Sequence, residues 1–271
     1  DFGPNCDPDT GRIRLVSVYA PPCVEPFEGD NGGATSPGVT EDTVKVVYYQ
    51  TDPALDPLIA ATTRQAGADV DPASAARAVR GFVDLYNQLF ENYGRTVEVE
   101  AFTGTGSGSD LAAARADAIT IAEKEPFAVI GGPQQASPVF ASEIASRGIV
   151  CGPGCALARS EDLVDEYYPY IWQAGPTPNQ AAALASEMIA KLAGPGKAEL
   201  AGDDATRAED RVYGMLHYDT PDGDHQPVFE AFREELAAND IELATDVEFT
   251  LDLARAQENA RPYISKLKSA G

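Results

Sequence analysis

The two histidines and a group of aspartates are the side chains of this sequence whose types suit acid–base or metal chemistry. His217 ends a predicted strand and His225 precedes a predicted helix. A catalytic triad built on either would need a Ser or Cys partner that the sequence does not place beside it. Asp219, Asp222 and Asp224 do not follow the spacing of an EF-hand loop. We therefore expect a solvated turn here, with no catalytic group and no metal site.

A Gly/Ser segment, GTGSGS at residues 104–109, has the composition of a phosphate-binding loop. A P-loop ends in Lys followed by Ser or Thr, whereas Ser109-Asp110 stands here. The G-x-G-x-x-G spacing of dinucleotide sites and the G-x-S-x-G elbow of serine hydrolases are also missing from the sequence. We interpret the segment as a flexible strand-to-helix connection and expect no cofactor.

Four cysteines, Cys6, Cys23, Cys151 and Cys155, allow three disulfide pairings. We favour 6–23, which would tie down an irregular N-terminus, and 151–155, whose intervening glycines could let the two sulfurs meet. Zinc binding would need two close pairs or added histidines, and C-x3-C is not the C-x2-C of redox motifs, so both alternatives are less favoured. An even number of cysteines, spaced so that they can pair into disulfides, favours an oxidising, extracytoplasmic compartment.

Composition narrows the class of protein. The 271 residues are 44% hydrophobic and 23% charged, as in ordinary soluble globular proteins. The net charge of −23 disfavours nucleic-acid binding, because the chain would repel phosphate backbones. No apolar stretch approaches the roughly 20 residues that span a bilayer. No signal peptide is recognised, and an anchor before Asp1, including a lipid anchor, stays open.

Strands alternate with helices through the first two thirds of the sequence. We predict strands at 44–49, 96–102 and 127–130 and from 149, with helices at 110–124 and 137–147. This alternation predicts a parallel sheet covered on both faces. Ligands of such sheets bind at the carboxyl ends of the strands, where this sequence has small and polar residues. Binding is therefore expected rather than catalysis.

Asp71-Pro72 predicts the start of a long helix, with Asp71 as the N-cap. Its apolar stripe has a helical period and is expected to be core. The stripe consists of Val79, Phe82, Val83, Tyr86, Leu89, Phe90 and Tyr93. For Trp172, the only tryptophan, a core position is favoured over one that faces a cleft.

The domain prediction has three parts: a disulfide-tied N-terminal arm (1–43), an α/β lobe (44–174), and the start of a second α/β lobe (175–271). The Pro-rich break at 174–178 sets the boundary. In the last part, strands are expected at 211–217 and 241–250. Two strands are too few for a sheet buried on both faces, so we expect this lobe to be truncated and the protein to continue.

The ordered set of elements resembles a known family, the type I periplasmic binding proteins. The likeness is to the branched-chain amino-acid type of ABC-transporter substrate-binding protein. It rests on motifs that together cover most of residues 40–271. They are Thr43-Val-Lys-Val-Val-Tyr-Tyr49, Pro126-Phe-Ala-Val-Ile-Gly-Gly132, Ala141–Ile149, Tyr168-Pro-Tyr-Ile-Trp-Gln-Ala-Gly175, and the run from Arg211 through Thr250.

The resemblance implies two Rossmann-like lobes with parallel sheets that close on a small-molecule ligand, an ABC permease as membrane partner, and no catalysis. It implies ligand contacts from Gln50, Thr51, Gln134, Gln135, Ala136, Ser137, Gly154, Ala156 and Tyr218. For Ser137, a helix-capping role and a ligand contact both stay open, and the amides of 135–137 are expected to meet an anionic group.

Two departures from the family bear on the ligand. No Ser or Thr stands near Gly154 and Ala156, and no Tyr-Gly follows Tyr218. The expected ligand is therefore an amino acid or a related small polar molecule. A ligand-sensing ectodomain of a receptor or signalling protein is the alternative function.

Overall fold

A computed structural model shows the chain as two compact units, which are described one at a time below. The first unit comprises Asp1–Ala156 with Pro169–Trp172, and the second comprises Leu157–Tyr168 with Gln173–Gly271. The structure describes residues 2–67, 71–156, 161–218, 226–249 and 256–270. No helix within these ranges is long and apolar enough to cross a bilayer. His225, Asp219, Asp222 and Asp224 lie outside the described residues.

The strands of the first unit form a small hairpin and a four-stranded sheet. The hairpin pairs β1 and β2 in antiparallel fashion, and the sheet is parallel, in the order β4-β3-β5-β6. The sheet confirms the predicted parallel arrangement. The strands are β1 (Cys6–Asp7), β2 (Arg12–Ile13), β3 (Thr43–Gln50), β4 (Thr96–Thr103), β5 (Ala128–Ile130) and β6 (Val150–Cys151).

Helices follow the strands, and all but the first lie where the sequence predicts them. They are α1 (Pro57–Gln65), α2 (Pro72–Leu89), α3 (Leu111–Ala122) and α4 (Ser137–Ala145). The core lies where α3 and α4 pack together and against the sheet, and Val47, Ile121, Val129, Phe140 and Ile144 are fully buried there. The central strands are apolar on both faces because a parallel sheet is covered on both sides.

Both predicted disulfides form. Cys6 and Cys23 are joined across a sequence separation of 17, and Cys151 and Cys155 across a separation of 4. The first bond links β1 to the chain that returns after β2, so the hairpin is closed covalently. In the usual entropic account, such a link stabilises mainly by restricting the unfolded chain, and the longer loop gains more.

Helix α2 begins as predicted, but its aromatic stripe is not core. The Asp71 carboxylate accepts a hydrogen bond from the Ser74 amide, 2.9 Å away, as expected of the N-cap. Phe82 is 72% exposed, however, and Ala76 is the buried residue of the helix. The reason is Asn87, whose side-chain amide donates to the carbonyl and accepts from the N–H of Val97 on edge strand β4. Anchoring Asn87 on the strand turns the Phe82 side of the helix away from the sheet.

Trp172 is not core either, since 56% of it is exposed. Ile171 forms a single parallel bridge with Cys151 of β6, and Ile171 is buried. Successive side chains of an extended chain point to opposite sides, so Trp172 points away from the side on which Ile171 is buried. Its indole N–H donates to the carbonyl of Pro169, 2.6 Å away.

The second unit is built around two parallel strands, β7 (Tyr213–Tyr218) and β8 (Leu243–Phe249). Its helices are α5 (Glu161–Glu166), α6 (Pro178–Leu192), α7 (Asp204–Arg207), α8 (Gln226–Ala238) and α9 (Ala256–Ala270). Helix α6 starts with a capping box formed by Thr177 and Gln180. Helix α9 holds Pro262 in its interior.

His217 has a structural role in this unit. Its Nε2 lies 2.9 Å from Oδ1 of Asp246, and its ring packs against Phe229 with the centroids 4.2 Å apart. Arg233 of α8 donates from Nε to Oδ2 of the same carboxylate at 2.6 Å. The Asp246 carboxylate therefore ties β8 to both β7 and α8.

Candidate functional site

The carboxyl ends of the strands meet at one edge of the first sheet. Strand β3 lies between β4 and β5, so the chain moves to one side of β3 and then crosses to the other. In open parallel sheets, such a switch in strand order leaves a crevice where ligands bind. The loops at this edge are 51–56, 104–110, 131–136 and 152–156.

Most of the predicted ligand-binding residues lie at this edge. Gln50 ends β3 and Thr51 follows it, residues 134–136 follow β5, and the loop with Gly154 and Ala156 follows β6. Strands β3, β5 and β6 are adjacent, so the sheet brings these three groups of residues together. Tyr218 ends β7 in the second unit, and its part in a ligand site remains a prediction.

Many polar groups of the turn after β5 are already hydrogen-bonded within the protein. Ser137 is the first residue of α4 and not its cap, and its hydroxyl donates to the carbonyl of Gln134 at 2.8 Å. The Ala136 amide donates to the carbonyl of Gly108 at 2.8 Å, and the Ser137 amide to Gln134. Ala136 and Ser137 are fully buried. Ligand contacts from this turn would therefore come chiefly from the side chains of Gln134 and Gln135, which are partly exposed.

The loop after β6 is closed by the Cys151–Cys155 disulfide and is hydrogen-bonded to the turn after β5. The Gly131 amide donates to the carbonyl of Pro153 at 3.0 Å, and the Gly152 amide to Val129 at 2.8 Å. A Cβ atom on Gly132 would lie 2.8 Å from the carbonyl oxygen of Cys155. The two loops are in close backbone contact, which requires glycine at this position.

The Gly/Ser segment is a tied loop, which corrects its interpretation as a flexible connection. The Gly108 amide donates to the buried Asp56 carboxylate at 2.7 Å, and the same carboxylate accepts from the Ile59 amide at 3.1 Å. A Cβ atom on Gly108 would lie 2.7 Å from Oδ2 of Asp56, and one on Gly104 would overlap the Tyr49 hydroxyl. Glycines are needed here because the loop passes so close to its neighbours.

A buried carboxylate that the sequence did not reveal fixes the other end of this loop. Asp117 of α3 is only 2% exposed. It accepts from the Tyr49 hydroxyl at 3.1 Å, from the Thr105 amide at 3.0 Å and from the Thr105 hydroxyl at 2.7 Å. The sequence held one signal of this burial. Asp117 stands three residues after Ala114 and four before Ile121, so it lies on the helix face that these two buried residues share. The floor of the site is thus held by two buried aspartates.

Burial raises the pKa of Tyr49 well above its usual value, and the Asp117 charge and hydrogen bond add to the shift. The folded state therefore favours the neutral phenol, whereas an unfolded tyrosine ionises near pH 10. The stabilisation is fully present below about pH 10 and is lost as the pH rises further. We expect the free energy of unfolding to fall above pH 10 by up to about 1.4 kcal/mol per pH unit from this group.

Urea denaturation at stepped alkaline pH, followed by circular dichroism, measures this loss. Tyr49→Phe removes the titrating group, so its stability should fall less steeply above pH 10 than that of the wild type. Equal slopes in the two proteins would show that Tyr49 does not carry the effect.

The site is acidic and lacks cationic side chains. Its four loops and the strand end contain Asp52, Asp56 and Asp110 but no Lys or Arg. An anionic group of a ligand would therefore depend on neutral donors, such as the amides of Gln134 and Gln135. No group of three or more His, Cys, Asp or Glu that could hold a metal ion is found within the described ranges.

The fold is similar to that of solved periplasmic and ABC-transporter substrate-binding proteins, as the sequence predicts. A periplasmic binding protein from Burkholderia mallei matches with a TM-score of 0.56 and 16% identity, over 84% of this chain and 51% of that one. A solute-binding protein of an ABC transporter from R. palustris, in complex with 4-hydroxybenzoate, matches with 0.53 and 17%, over 85% and 52%.

An ABC transporter substrate-binding protein from Sphaerobacter thermophilus matches with a TM-score of 0.52 and 13% identity, over 84% of this chain and 52% of that one. The chain thus spans about half the length of the solved structures that it resembles. All three are named as binding proteins. No protein-family model and no curated protein matches the sequence.

Proposed function

We propose that the protein is an extracytoplasmic solute-binding protein of an ABC importer. It binds a small molecule at the carboxyl edge of its first sheet and delivers it to a membrane permease. The observation that carries this proposal is the parallel sheet β4-β3-β5-β6, with tied loops at its switch point, in the fold of known solute-binding proteins. Two disulfides support an oxidising compartment.

We propose an amino acid or a closely related small molecule as the ligand. The acidic, cation-free loops would favour a ligand that carries an amino group, and the Gln134 and Gln135 amides could meet its carboxylate. The R. palustris neighbour in complex with 4-hydroxybenzoate makes simple aromatic acids the competing class. A simple aromatic acid has no amino group, so the aspartates would not favour its binding.

A thermal-shift screen against amino acids, small amides and aromatic acids tests the proposal. A ligand at about 100 times its Kd stabilises the folded state by about 2.7 kcal/mol, which raises the melting temperature measurably. The bound compound should be recovered unchanged, as mass spectrometry would show. Consumption of the compound would contradict the binding role, and a response confined to aromatic acids would contradict the amino-acid assignment.

Gln135→Phe is expected to weaken binding of the ligand found in this screen by at least about 10-fold, because it removes an amide and fills space at the switch point. Gln135 is only partly buried, so folding should be little affected. Titration calorimetry measures the affinity. The matched control is Gln65→Phe at the exposed end of α1, away from the site loops. Equal affinities of the two variants would remove Gln135 from the site.

A further inference from the structure

The loop that follows β6 contains two glycines and few hydrogen bonds. Gly-Pro-Gly stands between Cys151 and Cys155, and Gly154 has a φ of +81°. Glycine allows the backbone more conformations than any other residue. Among the described residues, two main-chain hydrogen bonds, each 3.0 Å long, restrain residues 153–155, and the donor of one of them is the Gly131 amide in the turn after β5. Hydrogen bonds alone would leave this loop considerable conformational freedom.

The disulfide restricts that freedom from the two ends of the loop. Cys151 is the last residue of β6, and both cysteines are fully buried, whereas Pro153 and Gly154 between them are exposed. The Gly154 amide has no hydrogen-bond acceptor within the described ranges. The closed loop thus presents Gly154, a predicted ligand contact, at the carboxyl edge of the sheet while its ends are anchored in the core.

The closed loop also packs on the turn after β5. A Cβ atom on Gly132 would lie 2.8 Å from the carbonyl oxygen of Cys155, and one on Gly154 would lie 3.3 Å from Cα of Gly131. The backbones of the loop and the turn are therefore in direct contact. A change in the conformation of residues 153–155 would alter the packing of the turn that carries the two glutamines of the site.

Loop length separates the effects of the two disulfides. In the entropic account, the stabilisation by a disulfide grows with the length of the loop that it closes. Cys6 and Cys23 are 17 positions apart in the sequence, and Cys151 and Cys155 are 4 apart. The shorter bond restricts the unfolded chain less, and it lies within a loop of the candidate ligand site.

We propose that the Cys151–Cys155 disulfide is a positioning element of the ligand site. It holds the loop after β6, and through direct contact the turn after β5, in the binding conformation before a ligand arrives. A site that is already ordered binds more tightly, because less conformational freedom is lost on association. The inference rests on the proposed function, since it concerns the same site.

Titration calorimetry on the full chain tests the proposal with probes of known identity, the twenty proteinogenic amino acids and 4-hydroxybenzoate. For the compound that the wild type binds most tightly, C151A/C155A should lose about 10-fold or more in affinity, because an unrestrained loop must be ordered on binding. Circular dichroism verifies that each variant is folded at the temperature of the titration.

Two controls separate positioning from other effects of the substitutions. C6A/C23A removes the other disulfide, which lies outside the site loops. I144V destabilises the core by trimming a fully buried side chain of α4. Both controls should stay within about twofold of the wild-type affinity, since neither touches the loop. A second test variant, C151V/C155A, refills part of the space in β6 with a residue that suits a strand, and it should lose as much affinity as C151A/C155A.

Hydrogen exchange without any ligand gives a readout that a merely structural role would not move. The Gly131 amide should exchange faster in C151A/C155A than in I144V, because its acceptor in the loop is no longer restrained. The amides of β3 should exchange alike in these two variants.

Wild-type affinity in both Cys151 variants, or unchanged exchange at Gly131, would overturn the inference and leave the proposed function standing. Equal losses of affinity in the variants and the two controls would also overturn it, because affinity would then follow stability. If the wild type binds none of the probes, the proposed ligand classes fail and this inference fails with them.

Discussion

Asp117→Ala should lower the free energy of unfolding by about 4 kcal/mol, because it leaves buried hydrogen-bond donors without an acceptor. The carboxylate accepts from the Tyr49 hydroxyl and from the amide and hydroxyl of Thr105, and it is almost completely buried. Each unsatisfied buried donor costs about 1–3 kcal/mol. Urea denaturation followed by circular dichroism gives the change directly. It should be accompanied by weaker ligand binding, since Thr105 belongs to a loop of the site.

Two further substitutions separate the acceptor role from helix propensity and from charge. Asp117→Asn keeps one oxygen and should recover part of the lost stability. Asp84→Ala makes the same chemical change at an exposed position of α2 and should stay within about 0.5 kcal/mol of the wild type. A loss in Asp117→Ala as small as that in Asp84→Ala would show that the three hydrogen bonds contribute little.

Gly131→Ala is the second change with a large expected effect. Gly131 has a φ of +73°, and a Cβ atom there would overlap the carbonyl oxygen of Tyr49. The left-handed conformation alone costs a non-glycine residue about 1–2 kcal/mol. The overlap with the backbone of the central strand adds to this, because neither part can move without breaking the sheet. We expect a total loss of at least about 3 kcal/mol.

Gly33→Ala is the matched control for the conformational cost. Gly33 has a φ of +63° and no neighbouring atom within 4 Å of the added Cβ. It should lose only about 1 kcal/mol. The difference between the two unfolding free energies, obtained from urea curves, isolates the effect of crowding at the site. Equal losses would mean that the turn after β5 can relax away from β3.

The sequence predicted the fold well wherever one local signal decided the structure. The apolar runs at β3 and β5 became central strands, and Asp71-Pro72 started α2. The short segment between Cys151 and Cys155 favoured the pairing that the structure has. These features depend on residues close together in the chain, so periodicity, capping preferences and spacing were sufficient.

Features that depend on distant partners were not predicted. The stripe on α2 was expected to be core, but the bonds between Asn87 and Val97 decide which side of the helix meets the sheet. The role of Asp117 depends on Tyr49 and Thr105, which reach it from two different strand ends. The sequence predicted that the ligand site lies at the carboxyl edge of the sheet. It did not predict that polar groups of the turn after β5 are already hydrogen-bonded within the protein. Hydrogen-bond partners of this kind become visible only when the elements are assembled.

The segment Pro169–Trp172, which is bridged to β6, has a consequence for limited proteolysis. The Cys151 amide donates to the carbonyl of Tyr170 at 2.6 Å, and the Trp172 amide donates back to Cys151 at 2.9 Å. The chain therefore leaves the first unit after Ala156, returns for Pro169–Trp172 and leaves again. After a single nick between 156 and 169, these two hydrogen bonds would still join the segment to β6. A fragment that stops at Ala156 would expose the edge of β6, a site open to pairing with other chains.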